Sequence, residues 1–199
     1  MIQELKQTLS QRQRLALNQP DRVPAAVLIP FFVKDGCYHV LLTKRTQRVA
    51  THKGQICFPG GACGPEDTTP LTTALREGFE EVGLKAGDVQ VIGQMDDILT
   101  VSSNFVVTPF VAMIPYPYHF VVSSEEIDEL IEVPLSSLLD TGNFHEEPTN
   151  DIIPTCSYVY KGQVVWGATA RILRQLLSLL PGQSELASAV TSTGHPKGR

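Results

Sequence analysis

Along this chain the spacing of hydrophobic positions changes several times, and each change marks an element. Residues 3–18 read as an amphipathic helix, ended by Asn18 and Pro20. Ala25 to Val33 is apolar with β-branched and aromatic residues, and "CYHVLLTKR" (37–45) follows the turn Lys34-Asp35-Gly36, so the two predict a hairpin. A glycine-rich segment over 54–68 leads into a helix predicted at 70–82. Leu71, Ala74, Leu75, Gly78, Phe79 and Val82 give that helix apolar or small positions at helical spacing. Its ends are marked by Thr69 as N-cap, Pro70 where the missing N–H is not needed, and Gly83 as the stop.

Val89–Met95 and Phe105–Ile114 read as strands, and "SSEEIDELIEV" (123–133) as a short acidic helix closed by Pro134, with Ile127, Leu130 and Ile131 inward. "YVYKGQVVW" (158–166) predicts a second hairpin around a Lys-Gly turn, with Trp166 in the core. A helix over 168–180 follows, stopped by Pro181 and Gly182; the small, polar residues from 183 on are expected to be poorly ordered. Strands separated by single helices, with hairpins, predict an α/β fold with a mixed sandwich rather than a doubly wound parallel sheet. No repeat or linker interrupts the pattern. One domain over 1–182 is expected, its first 22 residues a helical extension.

Composition narrows the field. The 199 residues are 42% hydrophobic and 19% charged, ordinary for a globular protein, and the net charge of −5 argues against a general nucleic-acid or membrane-surface role. Four widely spaced cysteines (Cys37, Cys57, Cys63, Cys156) form no C-x-x-C pair, which suits reduced thiols in a cytoplasm. The longest apolar run, "VPAAVLIPFFV", is too short to span a bilayer.

The chemistry concentrates in "FPGGACGPEDTTPLTTALREGFEEVGL" (58–84). Glu77, Glu80 and Glu81 lie three and four apart, on neighbouring positions of one helix face, where like charges repel by roughly 0.2–0.5 kcal/mol per pair. Arg76, four residues before Glu80, offsets part of this. Three clustered carboxylates suit a hard cation such as Mg²⁺ or Mn²⁺, although an E-x-x-E-E pattern alone more often marks a solvated helix face. The preceding Gly60, Gly61 and Gly64 let the backbone turn tightly and approach a ligand. Loop and helix together suit water attacking a phosphoanhydride, with metal ions neutralising the developing charge.

These residues resemble the Nudix box, G-x5-E-x7-R-E-U-x-E-E-x-G-U, where U is a bulky apolar residue. Gly61, Arg76-Glu77, Glu80-Glu81 and Gly83-Leu84 match it. Asp67 replaces the first Glu, one extra residue separates it from Arg76, and Gly78 stands at a U position, which would suit a tightly packed helix face. The resemblance implies a Nudix α/β/α sandwich with a mixed central sheet and Mg²⁺- or Mn²⁺-dependent hydrolysis of a nucleoside diphosphate linked to another group. By matched position it implies Glu77, Glu80 and Glu81 as metal ligands, assisted by a loop carbonyl at Gly60 or Gly61. Arg76 would orient the acids, and Asp67 would be a lesser helper.

"LLTKRTQRVATHKGQICFPGG" (41–61) further resembles the coenzyme A pyrophosphatase branch, as do "VIGQMDD", "EIDELIEVPLSSLLD" and "VVWGATARIL", so that the likeness spans residues 25–180. Val49-Ala50 departs from it where that branch often has a Leu-Arg pair. The implied reaction splits coenzyme A or its thioesters into 3′,5′-ADP and (acyl-)4′-phosphopantetheine. Action on ADP-ribose or NADH, and a catalytically silent nucleotide-binding module, are the alternatives. Lys44, Arg45, Arg48, His52 and Lys53 form a basic cluster in an acidic chain; Arg45 and Lys53 are the candidates to meet phosphate. Phe58, Gly60 and Gly61 are candidates to line the substrate site, though core packing suits Phe58 better. A base must also activate water; Glu77 is one candidate. Of the segment Glu125, Glu126, Glu129 and Glu132, Glu126 is the other. A homodimer stays open.

Overall fold

The structure, a computed structural model, describes residues 1–49, 52–101, 103–147 and 155–181. The apolar run near the start becomes β1 (Val23–Lys34), which turns back at Asp35-Gly36 into antiparallel β2 (Cys37–Arg45), Phe31 facing Val40. Both turn residues have positive φ (51° and 74°), as a tight two-residue hairpin requires. Within the glycine-rich segment lie two short strands, β3 (Ile56–Cys57) and β4 (Gly60–Ala62); β3 pairs with β2 and β4 with β1. After α2 (Pro70–Val82) come β5 (Gln90–Gln94), β6 (Ile98–Leu99) and β7 (Phe105–Met113). β7 lies parallel to β1, from Val23 opposite Phe105 to Phe31 opposite Met113, and carries β5 and β6 antiparallel. With β8 (Ile127–Pro134) on β2 this makes a mixed eight-stranded sheet, and the short helix α3 (Leu135–Leu139) follows β8. A three-stranded antiparallel sheet of β9 (Phe144–Glu147), β10 (Thr155–Tyr160) and β11 (Gln163–Trp166) stands beside it.

Successive residues of β1 feed two cores, because side chains alternate along a strand. Ala25, Ile29 and Phe31 join Leu5 and Leu9 of α1 (Ile2–Gln11) and Ile172, Leu173 and Leu176 of α4 (Gly167–Ser178). Ala26, Leu28 and Phe32 join Ala74 and Val82 of α2 on the other face. Helices therefore cover both faces of a mixed sheet, the expected α/β/α sandwich. The α2 ends also agree with the sequence: Thr69 Oγ1 accepts from the Thr72 amide at 3.1 Å, and Gly83 adopts φ 71°. No described helix is long and apolar enough to cross a membrane.

Several expectations are corrected. The first helix ends at Gln11, not Asn18. Beyond it the chain is tied to Asp96 and Asp97: Arg12 pairs with Asp96, Arg14 with Asp97 (2.9 Å), and the Leu15 and Leu17 amides donate to the two acids at 2.7 and 2.8 Å. Tertiary partners thus satisfy amides that a helix would have bonded internally. "SSEEIDELIEV" supplies β8 instead of a helix, because the β2 edge away from β1 needs a strand and Ile127, Ile131 and Val133 all bury there. Trp166 is 51% exposed rather than in the core, and Phe79 of α2 is also exposed. A Cβ at Gly78 would meet only Leu28 Cδ2, at 3.8 Å, so tight packing does not account for that glycine. The expected tail from 183 on lies outside the described residues.

Candidate active site

The glycine-rich loop is held against the sheet by β4, and Leu28 N–H donates to the Pro59 carbonyl at 2.8 Å. Two adjacent glycines are needed there for different reasons. Gly60 has φ 154°, and a Cβ on it would stand 2.4 Å from the Ala26 carbonyl oxygen. On Gly61 a Cβ would stand 2.6 Å from the Glu77 carboxylate, so this glycine makes room for an acid.

The α2 face that meets the loop carries Glu77 and Glu81. The Glu81 side chain is 1% exposed; it accepts from Arg45 Nη1 at 2.8 Å and from the Gly60 amide at 3.1 Å. Burial pushes its carboxyl up to about 7, opposed by Arg45 and the Gly60 amide and reinforced by the charges of Glu77 and Glu126. Glu77 is likewise raised, first by burial, with Arg76 opposing. Glu80, the more exposed acid, pairs with Arg76 at 2.8 Å as its spacing implied.

Arg76 organises this cluster. Its Nε and Nη2 donate to Asp67 at 3.1 and 2.9 Å, and Nη1 lies 2.8 Å from Glu77. Asp67 is nearly buried and also accepts from the Gly64 amide (2.8 Å) and Thr73 Oγ1 (3.0 Å). Arg76, and then the Gly64 amide, hold its carboxyl well below the usual carboxylate range. The shorter acid with shifted spacing is therefore the principal anchor of Arg76, a larger part than its sequence suggested.

Glu126, in the turn before β8, lies 3.4 Å from Arg45 Nη2, and Thr46 N–H donates to its carbonyl at 2.8 Å. Arg45 thus joins Glu81 of α2 to Glu126. The other acids of that segment lie apart: Glu125 is exposed near Arg48 (3.9 Å), Glu129 pairs loosely with Lys44 (4.0 Å), and Glu132 pairs with Lys34 (2.6 Å). The basic cluster divides in the same way. Lys53 is exposed and does not line the cleft described next, whereas His52 does and its Nδ1 lies 2.7 Å from Gln55 Oε1.

A cleft of about 850 Å³ opens beside these groups. Arg45 lines it from the end of β2, Phe58, Gly60 and Gly61 from the loop, and Trp166 and Arg171 from the α4 end. Phe58 is 1% exposed and belongs chiefly to the core. Sequence reasoning missed Arg171, whose signal was an arginine inside the apolar helix "GATARILRQLLS".

A NUDIX domain family model matches residues 22–151. The chain belongs to the Nudix family. It is 37% identical over 180 residues to a protein of Yersinia pestis (strain Pestoides F) named uncharacterized Nudix hydrolase NudL, covering 83% of this chain and 89% of the relative. The same figures hold for NudL of Yersinia pseudotuberculosis serotype O:1b. Among solved structures, the Nudix hydrolase RenU of M. smegmatis superposes with TM-score 0.50 at 21% identity, covering 89% of this chain and 91% of that one. A MutT/nudix family protein of Enterococcus faecalis gives 0.52 at 11% identity, over 89% and 68%. These two likenesses show the fold.

Nudix hydrolases generally work with divalent metal ions. Among the described residues no group of three or more His, Cys, Asp or Glu side chains is gathered as a metal cage. The glutamates turn instead to Arg76 and Arg45. The donor chemistry nevertheless fits a hard cation: three carboxylates lie within five residues of one helix against a loop backbone, and the charge of Glu80 raises the Glu77 pKa as that of Glu77 raises the Glu81 pKa.

Proposed function

We propose that this Nudix protein hydrolyses the diphosphate bond of coenzyme A or its thioesters, releasing 3′,5′-ADP and (acyl-)4′-phosphopantetheine. The observation that carries the hydrolytic reading is the buried Glu81, held between Arg45 and the Gly60 amide, two residues that line the large cleft. A module that only bound nucleotide would have no use for a desolvated, mutually repelling acid cluster. For the substrate, the support is the continuous likeness of residues 41–61 and 76–84 to the coenzyme A pyrophosphatase branch.

In this reading Glu77, Glu80 and Glu81, with the Gly61 carbonyl, hold Mg²⁺ or Mn²⁺. The metal supplies charge neutralisation on the diphosphate and a more acidic water. Arg76, fixed by Asp67, sets the orientation of Glu77 and Glu80. Arg45 opposes the rise of the Glu81 pKa and lines the cleft, where its guanidinium meets a phosphate oxygen. Glu126 is positioned beside it to take the proton of the attacking water. Gly60 and Gly61 let backbone, rather than side chain, stand next to the diphosphate.

The test is product chromatography of coenzyme A, dephospho-coenzyme A, ADP-ribose and NADH, each incubated with the protein and Mg²⁺ or Mn²⁺. Fastest formation of 3′,5′-ADP from coenzyme A is expected. Preferential cleavage of ADP-ribose or NADH would keep the chemistry and reject the substrate, and no cleavage of any would reject both. Glu77→Gln and Glu81→Gln are each expected to lower turnover by at least about a hundredfold, the scale of losing a transition-state electrostatic group.

A further inference from the structure

Arg171 stands in the cleft without an acidic partner. It is partly buried, and its Nη2 donates to the Leu99 carbonyl at 2.5 Å; no carboxylate among the described residues pairs with it. Arg45 and Arg76, by contrast, are each held by at least two acids. Burial without a counter-charge pulls the Arg171 pKa down, so an anion reaching it would regain lost solvation. Beside the start of the same helix, Trp166 leaves half of its indole open while lining the same cleft. A large aromatic left in a cleft instead of the core offers a flat apolar face, and base rings stack on such faces. A guanidinium next to it matches phosphate oxygens in pairs.

We propose that Trp166 and Arg171 form a nucleoside-phosphate subsite at the α4 end of the cleft, with the indole against the base and the guanidinium on a phosphate monoester outside the scissile diphosphate. This rests on the coenzyme A reading, in which that group is the 3′-phosphate of the adenosine. In that reading the Arg45, Gly60 and Gly61 side of the cleft provides for the diphosphate. A further phosphate in this acidic protein needs its own cation, and among the described lysines and arginines that line the cleft Arg171 is the one not held by acids.

The experiment is calorimetric titration of 3′,5′-ADP and 5′-AMP into the full chain and into Arg171→Gln, Arg171→Lys and Trp166→Ala. In the unmodified protein the 3′-phosphate should raise affinity about ten- to a hundredfold, as hydrogen bonds to a charged group do. Arg171→Gln should abolish that increment and Arg171→Lys keep part of it. Trp166→Ala should weaken both nucleotides by about the same factor, five- to a hundredfold. The increment compares two ligands on one protein, so a general folding defect cannot imitate its loss. An increment that survives Arg171→Gln, or is absent in the unmodified protein, overturns the subsite. An increment that depends on Arg171 in a protein inactive on coenzyme A would uphold the subsite and sink the proposed reaction.

Discussion

Arg45 donates a 2.8 Å hydrogen bond to Glu81, a carboxylate only 1% exposed, and so joins the end of β2 to the acid face of α2. Arg45→Met would leave that carboxylate buried with the Gly60 amide as its remaining partner. Breaking one side of a buried pair costs about 3–5 kcal/mol; with Arg45 itself 18% exposed, about 3 kcal/mol at pH 8 is expected. At pH 5 Glu81 takes up a proton in both proteins, and the loss should shrink to about 1 kcal/mol, the scale of a neutral hydrogen bond. Urea unfolding at the two pH values measures the difference. Equal losses at both would show that the pair does not control the Glu81 charge.

The same carboxyl makes metal-free stability depend on pH. Its folded value of about 7 lies above the ordinary 4.5, so between those values the folded chain binds a proton that the unfolded chain has released. Stability from this group is therefore full below pH 4.5 and falls as pH rises towards 7, by about 3 kcal/mol at most. Glu77, also raised, acts in the same direction, while the depressed Asp67 acts oppositely, in a window below its unfolded value. In the presence of a chelator the urea midpoint should drop between pH 5 and pH 7.5, and Glu81→Gln should flatten the slope. Added Mg²⁺ should raise the midpoint more at pH 7.5 than at pH 5.

What the sequence made legible follows from how local the determinants were. The α2 boundaries rest on Thr69, Pro70 and Gly83, all within the element, and they were readable to the residue. The continuous apolar run of β1 and its Asp35-Gly36 turn were equally local. β8 was misread because EEIDELIEV satisfies a helical stripe as well as a strand; the open edge of β2, far away in sequence, decides between them. Residues 12–17 failed likewise, since their partners are Asp96 and Asp97. In the site, the box residues were legible by spacing. The Arg45–Glu126 contact and the α4 wall of the cleft were not, because each joins segments with no local signal connecting them.

Gly60 and Gly61 should respond differently to the same added methyl group. Gly60→Ala would press on the Ala26 carbonyl and the Val27 Cα at 2.4 and 2.6 Å, against backbone of a central strand that cannot give way. Loss of soluble folded protein is expected, or a destabilisation above about 3 kcal/mol. Gly61→Ala would press on the Glu77 carboxylate, the free end of a flexible side chain. That variant should fold, with a melting temperature close to the parent, yet lose most of its metal-dependent turnover. Thermal melts and turnover on the same samples separate the two, and an active Gly61→Ala would mean that the position of Glu77 is unimportant.

Asp67→Asn tests whether the anchor of Arg76 matters to the reaction. The amide would keep the volume but lose the charge that two guanidinium nitrogens, Thr73 and the Gly64 amide all address. Arg76 would then pair more freely with Glu77 and Glu80 and compete with metal for them. A rise of about tenfold in the metal concentration needed for half-maximal turnover is expected, the scale of a lost supporting contact around metal ligands. Asp67→Glu should recover part of the loss. An unchanged metal requirement would leave Asp67 a purely structural residue.

Gly78 offers a substitution that should improve the protein. It sits within α2 at an ordinary helical φ, two residues before Glu80, and the Cβ of an alanine would meet Leu28 Cδ2 at 3.8 Å, a normal van der Waals distance. The methyl would fill space against the sheet and reduce the freedom of the unfolded chain without strain. Gly78→Ala should therefore stabilise the fold by about 0.5–1 kcal/mol, read as a higher urea midpoint with an unchanged slope. Turnover should stay near the parent value, since the added atom points at Leu28 and away from the loop. A lower midpoint would mean that α2 lies closer to β1 in solution than its 3.8 Å clearance allows, and would return to Gly78 the packing role that its place in the motif first suggested.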